Sequence, residues 1–192
     1  MCSRSTWIRR ASWRRRSAPR AREVSDMSRR FEVETCSTAT MDQVMGAFAS
    51  PDYWAARFHH FGGGLDLTSL DVDGAGAVMV EVVQDVARTM MHPLLAAMYP
   101  RDIRVIAVER WVPVGARVEG AITVDVQGAP GSGVASARLR PTETGCQLYV
   151  TGDVRVRVPV VGGPIERLVA GQVKTHVPDI QRFTGEWALA HG

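Results

Sequence analysis

Acid–base chemistry near neutral pH calls first for histidine, and His176 is the histidine of this chain set among apolar residues at helical spacing. On a helix turning about 100° per residue it falls at nearly the same angle as Ile165 and Phe183, with Gln172 one turn earlier. An imidazole there would orient a ligand inside an apolar chamber or act as an acid or base. The same position also suits a partly buried histidine satisfied by a backbone carbonyl. Other constellations carry less. His59 and His60 are adjacent, so a helix points them about 100° apart and they do not share a metal. Cys2, Cys36 and Cys146 are an odd number without CxxC spacing. They form neither a disulfide framework nor a zinc site, and they suit a reducing cytoplasm. Nothing in the sequence calls for a cofactor or a metal, and no catalytic residue is assigned.

Some polar motifs read more simply as structure. Gly162-Gly163-Pro164 could offer free N–H groups to an anion at a helix start, but such a triplet also makes a sharp turn. Gly62-Gly63-Gly64 lacks the strand-to-helix context of a phosphate loop. Glu109 and Trp111 share one face of a strand, and Glu119 and Asp125 share one face of the next. These carboxylates are read as solvated, and Trp111 as core or cavity wall.

The elements that must position these groups begin near Arg30. Residues 30–35 alternate Phe31, Val33 and Thr35 with Glu32 and Glu34, the pattern of a half-buried strand. Thr40-Met41-Asp42-Gln43 is a capping box opening a short helix, and Ser50-Pro51 caps and opens a second. Six strand-like runs follow, over residues 65–72, 77–86, 103–112, 117–126, 133–140 and 146–158. The breaks at Asp73-Gly74, Val114-Gly115 and Thr144-Gly145 are short enough for hairpins. The last element is a helix from about Pro164 to Leu189, with Ile165, Val169, Val173, Ile180, Phe183 and Trp187 in one apolar stripe. Pro178 inside it removes a donor and predicts a kink near Lys174–Val177.

Composition sets further limits. A chain of 192 residues with 45% hydrophobic residues suits one domain with a sizeable core. Its longest apolar runs are strand-length, so no stable membrane insertion is expected. Residues 1–26 carry eight arginines against Glu23 and Asp26, a net +6 within a chain of +3, which leaves the remainder at −3. A mildly acidic body gives no reason to seek nucleic acid. The tail of residues 1–27 has no apolar period and is expected to be disordered, as an over-extended reading frame whose start is Met27. A targeting peptide would need an apolar region, and none follows.

One strand, two short helices, six strands and a long helix, in that order, resemble the START/Bet v 1-like (SRPBCC) superfamily. More narrowly, residues 61–64, 128–133, 158–166 and 180–187 resemble domain-of-unknown-function family 2505, a bacterial family, over about residues 28–189. The resemblance implies an α+β helix-grip fold: a curved antiparallel sheet of about seven strands around a long C-terminal helix, as a single domain. It implies no established activity. In such a meander the connection 87–102, the turn 127–132 and the turn 159–163 share one end of the sheet, and the first is rich in methionine. That end is the expected mouth of a cavity. The ligand-contacting candidates are His176, Gln172, Val169, Ile180 and Phe183 on the last helix, Trp111 on a strand, and Met90, Met98 and Tyr99 at the mouth. The expected partner is a small apolar molecule such as a lipid, fatty acid or polyketide-like compound. An aromatase/cyclase-like enzyme relying on His176 and a protein-interaction module built on the Met-rich segment are the alternatives, and the oligomeric state is left open.

Overall fold

The computed structural model describes residues 28–62, 64–91, 93–98, 101–158 and 162–192. The basic tail and Tyr99 lie outside the described residues, as do the side chains of Met90 and Met98. Seven strands form one antiparallel sheet in the order β1-β7-β6-β5-β4-β3-β2. They are β1 (Arg29–Ser37), β2 (Leu65–Val72), β3 (Val78–Val86), β4 (Ile103–Val114), β5 (Arg117–Gln127), β6 (Gly131–Thr142) and β7 (Gly145–Val156). Helices α1 (Met41–Phe48) and α2 (Pro51–His60) follow β1. A 3-10 turn at Arg88–Met90 and the short helix α3 (Pro93–Met98) join β3 to β4, and α4 (Gly162–His191) ends the fold.

Local chemistry explains the boundaries. Thr40 Oγ1 accepts from the Gln43 N–H at 3.2 Å while Gln43 Oε1 accepts from the Thr40 N–H at 3.0 Å, a complete capping box. Pro51 opens α2, but the Ser50 hydroxyl makes no capping bond. Between β2 and β3 the Asp73 carboxylate accepts from the N–H groups of Ala75 and Ala77, each at 2.9 Å, and closes the turn itself. The two-residue loop after Val114 needs the left-handed conformation that Gly115 supplies at φ 60°.

The space between sheet and helices is filled unequally. Under α1, α2 and the C-terminal part of α4 it is packed with aromatics. Phe48 lies 4.8 Å from Trp111, Tyr53 lies 5.3 Å from Trp54, and Trp187 meets Tyr53 edge-on at 5.5 Å. Trp54 donates its indole N–H to the Phe48 carbonyl at 2.9 Å, so a buried polar atom is satisfied. Under the N-terminal half of α4 most inward side chains are valine, isoleucine, alanine and glycine, with Phe31 at one side and Glu166 near the helix start. The aliphatic ones are too short to meet across the gap between a sheet and a helix.

The orientation of α4 corrects the sequence reading. Its buried residues are Gly162, Ile165, Glu166, Ala170, Gln181, Thr184, Gly185 and Ala188. Their common face is centred about 75° from the stripe of large apolar residues and shares Ile165 with it, so that Val169 and Val173 of the stripe still border the space over the sheet. The reason is close approach. A Cβ on Gly185 would collide with the Ser37 side chain of β1, so the contact face selects small residues. Phe183 and Trp187 instead cover the flank against α2. Gln172 and His176, assigned to the interior from the stripe, are exposed.

Candidate functional site: an apolar cavity with a polar inner end

The unfilled half of the fold is a cavity of about 430 Å³. Period-two alternation carries its wall: Ile103 and Val105 on β4, Ile122, Val124 and Val126 on β5, Gly131, Gly133 and Ala135 on β6, and Val150, Val154 and Val156 on β7. Phe31 of β1 closes one side, and Ile165, Val169, Val173 and Val177 of α4 form the roof. Ala129, Pro130 and Ile103 place the outer end of the cavity where the β5–β6 turn and the start of β4 meet. Of the three segments that the sequence reading placed at a mouth, the turn 127–132 contributes Ala129, Pro130, Gly131 and Ser132 to the lining, while the described part of 87–102 contributes none.

Of the sequence-derived candidates, Val169 lines this cavity. Phe183 packs on His60 at 4.7 Å and on Tyr53 at 6.2 Å, and half-buried Ile180 is not among the lining residues. Trp111 is core, its ring lying over Gly120 of β5 where a Cβ would come within 2.6 Å of it. Gly162 already donates its N–H to the Val158 carbonyl at 2.9 Å. The nearby buried Glu166 carboxylate accepts from the Val156 N–H at 2.8 Å and ties α4 to the end of β7.

A polar cluster missed by sequence reasoning stands beyond the inner end of the cavity, next to the lining residue Ile122 but with none of its own side chains in the wall. Glu109 points inward with its side chain 13% exposed, opposite Arg57 of α2 at 16%. The Arg57 Nη2 and Glu109 Oε1 atoms are 3.7 Å apart. Glu109 Oε2 accepts from the Trp111 indole N–H at 3.1 Å, and the guanidinium stacks 4.8 Å from the Trp54 ring centroid. Beyond Arg57, Tyr53 Oη lies 2.7 Å from Thr184 Oγ1, which lies 2.7 Å from the Ile180 carbonyl oxygen. A carbonyl only accepts, so Thr184 donates to it and Tyr53 donates to Thr184. The Tyr53 oxygen is then left to accept from Arg57. Burial pushes the Tyr53 phenol above its ordinary pKa, against the lowering pull of Arg57. Burial acts against the Arg57 charge, but Tyr53 and Glu109 outweigh it and hold the guanidinium protonated.

The signal for this cluster was in the sequence. Glu109 shares strand parity with Trp111, so a buried Trp111 brings Glu109 inward with it. Arg57 lies on the same face of α2 as Tyr53, Trp54 and Phe58. Glu119, by contrast, does face outward, where Arg117 and Arg138 hold its carboxyl below the ordinary range.

A curved antiparallel sheet gripping a long C-terminal helix around such a cavity is the helix-grip fold of the START/Bet v 1-like superfamily. The fold is shared with TTHA0849 from Thermus thermophilus, with a TM-score of 0.55, 16% identity, and coverage of 85% of this chain and 99% of that one. It is shared too with Ara h 8.0201, with a TM-score of 0.50, 13% identity, and coverage of 85% and 99%. These likenesses establish the fold alone. By sequence the chain belongs to the family described as "Protein of unknown function (DUF2505)", whose model matches residues 32–188. Its relatives include Rv0481c of Mycobacterium tuberculosis and Mb0491c of Mycobacterium bovis, both named as uncharacterized proteins. Each is 30% identical over 174 residues, covering 84% of this chain and 97% of the relative.

Proposed function

We propose that this protein is a non-catalytic carrier or sensor that holds one small, predominantly apolar molecule between the sheet and α4. The observation that carries the reading is the cavity itself, about 430 Å³ and walled by valine and isoleucine. Ligand sites commonly fall between about 300 and 1,000 Å³, whereas voids left by ordinary packing are much smaller. Leaving so much apolar wall without contacts forfeits dispersion energy, and an apolar guest restores it. No described helix is long and apolar enough to cross a membrane. Free Cys36 and Cys146 suit action in a reducing cytoplasm. The enzyme alternative named His176 as its acid or base, and the exposed position of that residue removes the argument for it.

Titration with Nile red, a neutral dye whose fluorescence rises in apolar surroundings, tests the proposal. Saturable one-to-one binding is expected, together with a co-purifying small molecule in native mass spectrometry. Val124→Trp, which fills the cavity from the centre of its wall, should abolish the binding while the protein stays folded. Absence of binding by the wild type, or unchanged binding by Val124→Trp, overturns the reading.

A further inference from the structure

The apolar wall ends, on both of its layers, where the polar cluster begins. On the sheet, Ile122 is the innermost cavity residue of β5, and its direct cross-strand partner on the same face is Glu109. Such partners have Cβ atoms about 4.5–5.5 Å apart, so the carboxylate stands one side chain from the cavity wall. On the helix, Val177 is the innermost lining residue, and Ile180, whose carbonyl anchors the Thr184–Tyr53 chain, follows within one turn. Deepening the cavity reading and resting on it, we propose that Arg57 and Glu109 form the specificity pole of the cavity and select a neutral hydroxyl-bearing apolar ligand.

The geometry of the pair supports this choice. Charge-assisted N–H···O bonds close to about 2.7–2.9 Å, and this pair stands open at 3.7 Å. Atoms 3.7 Å apart leave no room for an oxygen between them, but one set beside the pair, about 2.8 Å from each atom, can accept from the Arg57 N–H and donate to Glu109 Oε1. A hydroxyl does both at once. The pair is already neutral, so an anionic head would add a like charge beside Glu109 and a cation would add one beside Arg57. The guanidinium is held for the task by the Trp54 face and by Tyr53, which is itself tied to α4 through Thr184. Fatty acid anions are therefore disfavoured against alcohols and phenols of the same size.

The test displaces bound Nile red with octane, octanol and octanoate at neutral pH. In the wild type, octanol should compete at about tenfold lower concentration than octanoate, the scale of one hydrogen bond to a charged group. In the double variant Arg57→Met/Glu109→Leu both charges leave together, so no unpaired charge is buried; the Trp111 indole N–H loses its acceptor, and a cooperative urea transition is required of the variant before its binding is compared. Its octanol-to-octane preference should fall about tenfold while octane competes as before. In Glu109→Gln the like charge is gone, and octanoate should gain at least about tenfold on octanol. An octanol-to-octane ratio in the double variant within about twofold of wild type overturns the proposal while leaving the cavity reading standing. Failure of the wild type to bind Nile red at all overturns both.

Discussion

Gly152 of β7 offers a sharp test of how tightly the cavity wall is built. It sits at an inward position between Val150 and Val154, opposite Phe31 of β1 and Ala135 of β6. A Cβ added there would lie 2.5 Å from the Val134 carbonyl oxygen, 2.7 Å from Ala135 Cβ and 2.7 Å from Phe31 Cζ. Ordinary contact begins at 3.4 Å, so the carbonyl is about 0.9 Å too close. That oxygen belongs to the β6 backbone and cannot rotate away without disturbing the β6–β7 ladder. The Phe31 ring can yield, but its free direction is toward the cavity it lines. Overpacking of this kind costs about 1–3 kcal/mol, and the entropy gained by replacing glycine in the unfolded chain offsets about 0.4–1 kcal/mol. Gly152→Ala should therefore lose about 1–1.5 kcal/mol in urea unfolding, with an unchanged m-value and a melting temperature lower by about 2–6 °C. Nile red affinity should fall as the Phe31 ring takes up cavity space. Gly171→Ala is the control: Gly171 is exposed on α4 with nothing within 4 Å of the added methyl, so a gain of about 0.5–1 kcal/mol is expected. A Gly152→Ala protein within about 0.5 kcal/mol of wild type would refute the packing argument.

The remaining expectations are simpler. His176→Leu should change Nile red affinity by less than about twofold, because the ring faces solvent; a larger loss in the same titration would put that face back into the site. Trp187→Ala should cost about 2–3 kcal/mol in urea unfolding, below the value for a wholly buried tryptophan, because the ring is half-buried between Tyr53 and His191. Burial raises the Cys146 thiol from 9.0 to about 11, so its neutral form stabilises the fold below pH 9 and that contribution is lost as pH rises through about 11. Denaturation across that window should show stability falling by up to about 1.4 kcal/mol per pH unit, with a shallower slope in Cys146→Ala. Tyr53, raised by burial, acts in the same direction. In the folded protein iodoacetamide should alkylate exposed Cys36 and spare Cys146, as peptide mass mapping would report.

The order and identity of the elements were legible in the sequence because their causes are local. Alternation in β7, the capping box at Thr40 and the turn residues at Asp73 and Gly115 each act within a few residues, and strand ends moved by no more than two positions between reading and structure. The exception to local reading was Glu109, whose parity with Trp111 was visible but whose charge suggested solvent. Its Arg57 partner, brought from α2 by the packing, together with the Trp111 indole N–H makes an inward carboxylate tolerable. The face that α4 turns to the sheet was likewise undecided by its own residues. The large side chains of a helix mark where there is room to fill, and the small ones mark where backbones come close. Which of those faces meets the sheet depends on where β1, β7 and α2 lie. That tertiary arrangement placed Gly185 against Ser37, sent Phe183 and Trp187 to the flank, turned His176 to solvent and left the valines of the other half facing an unfilled space.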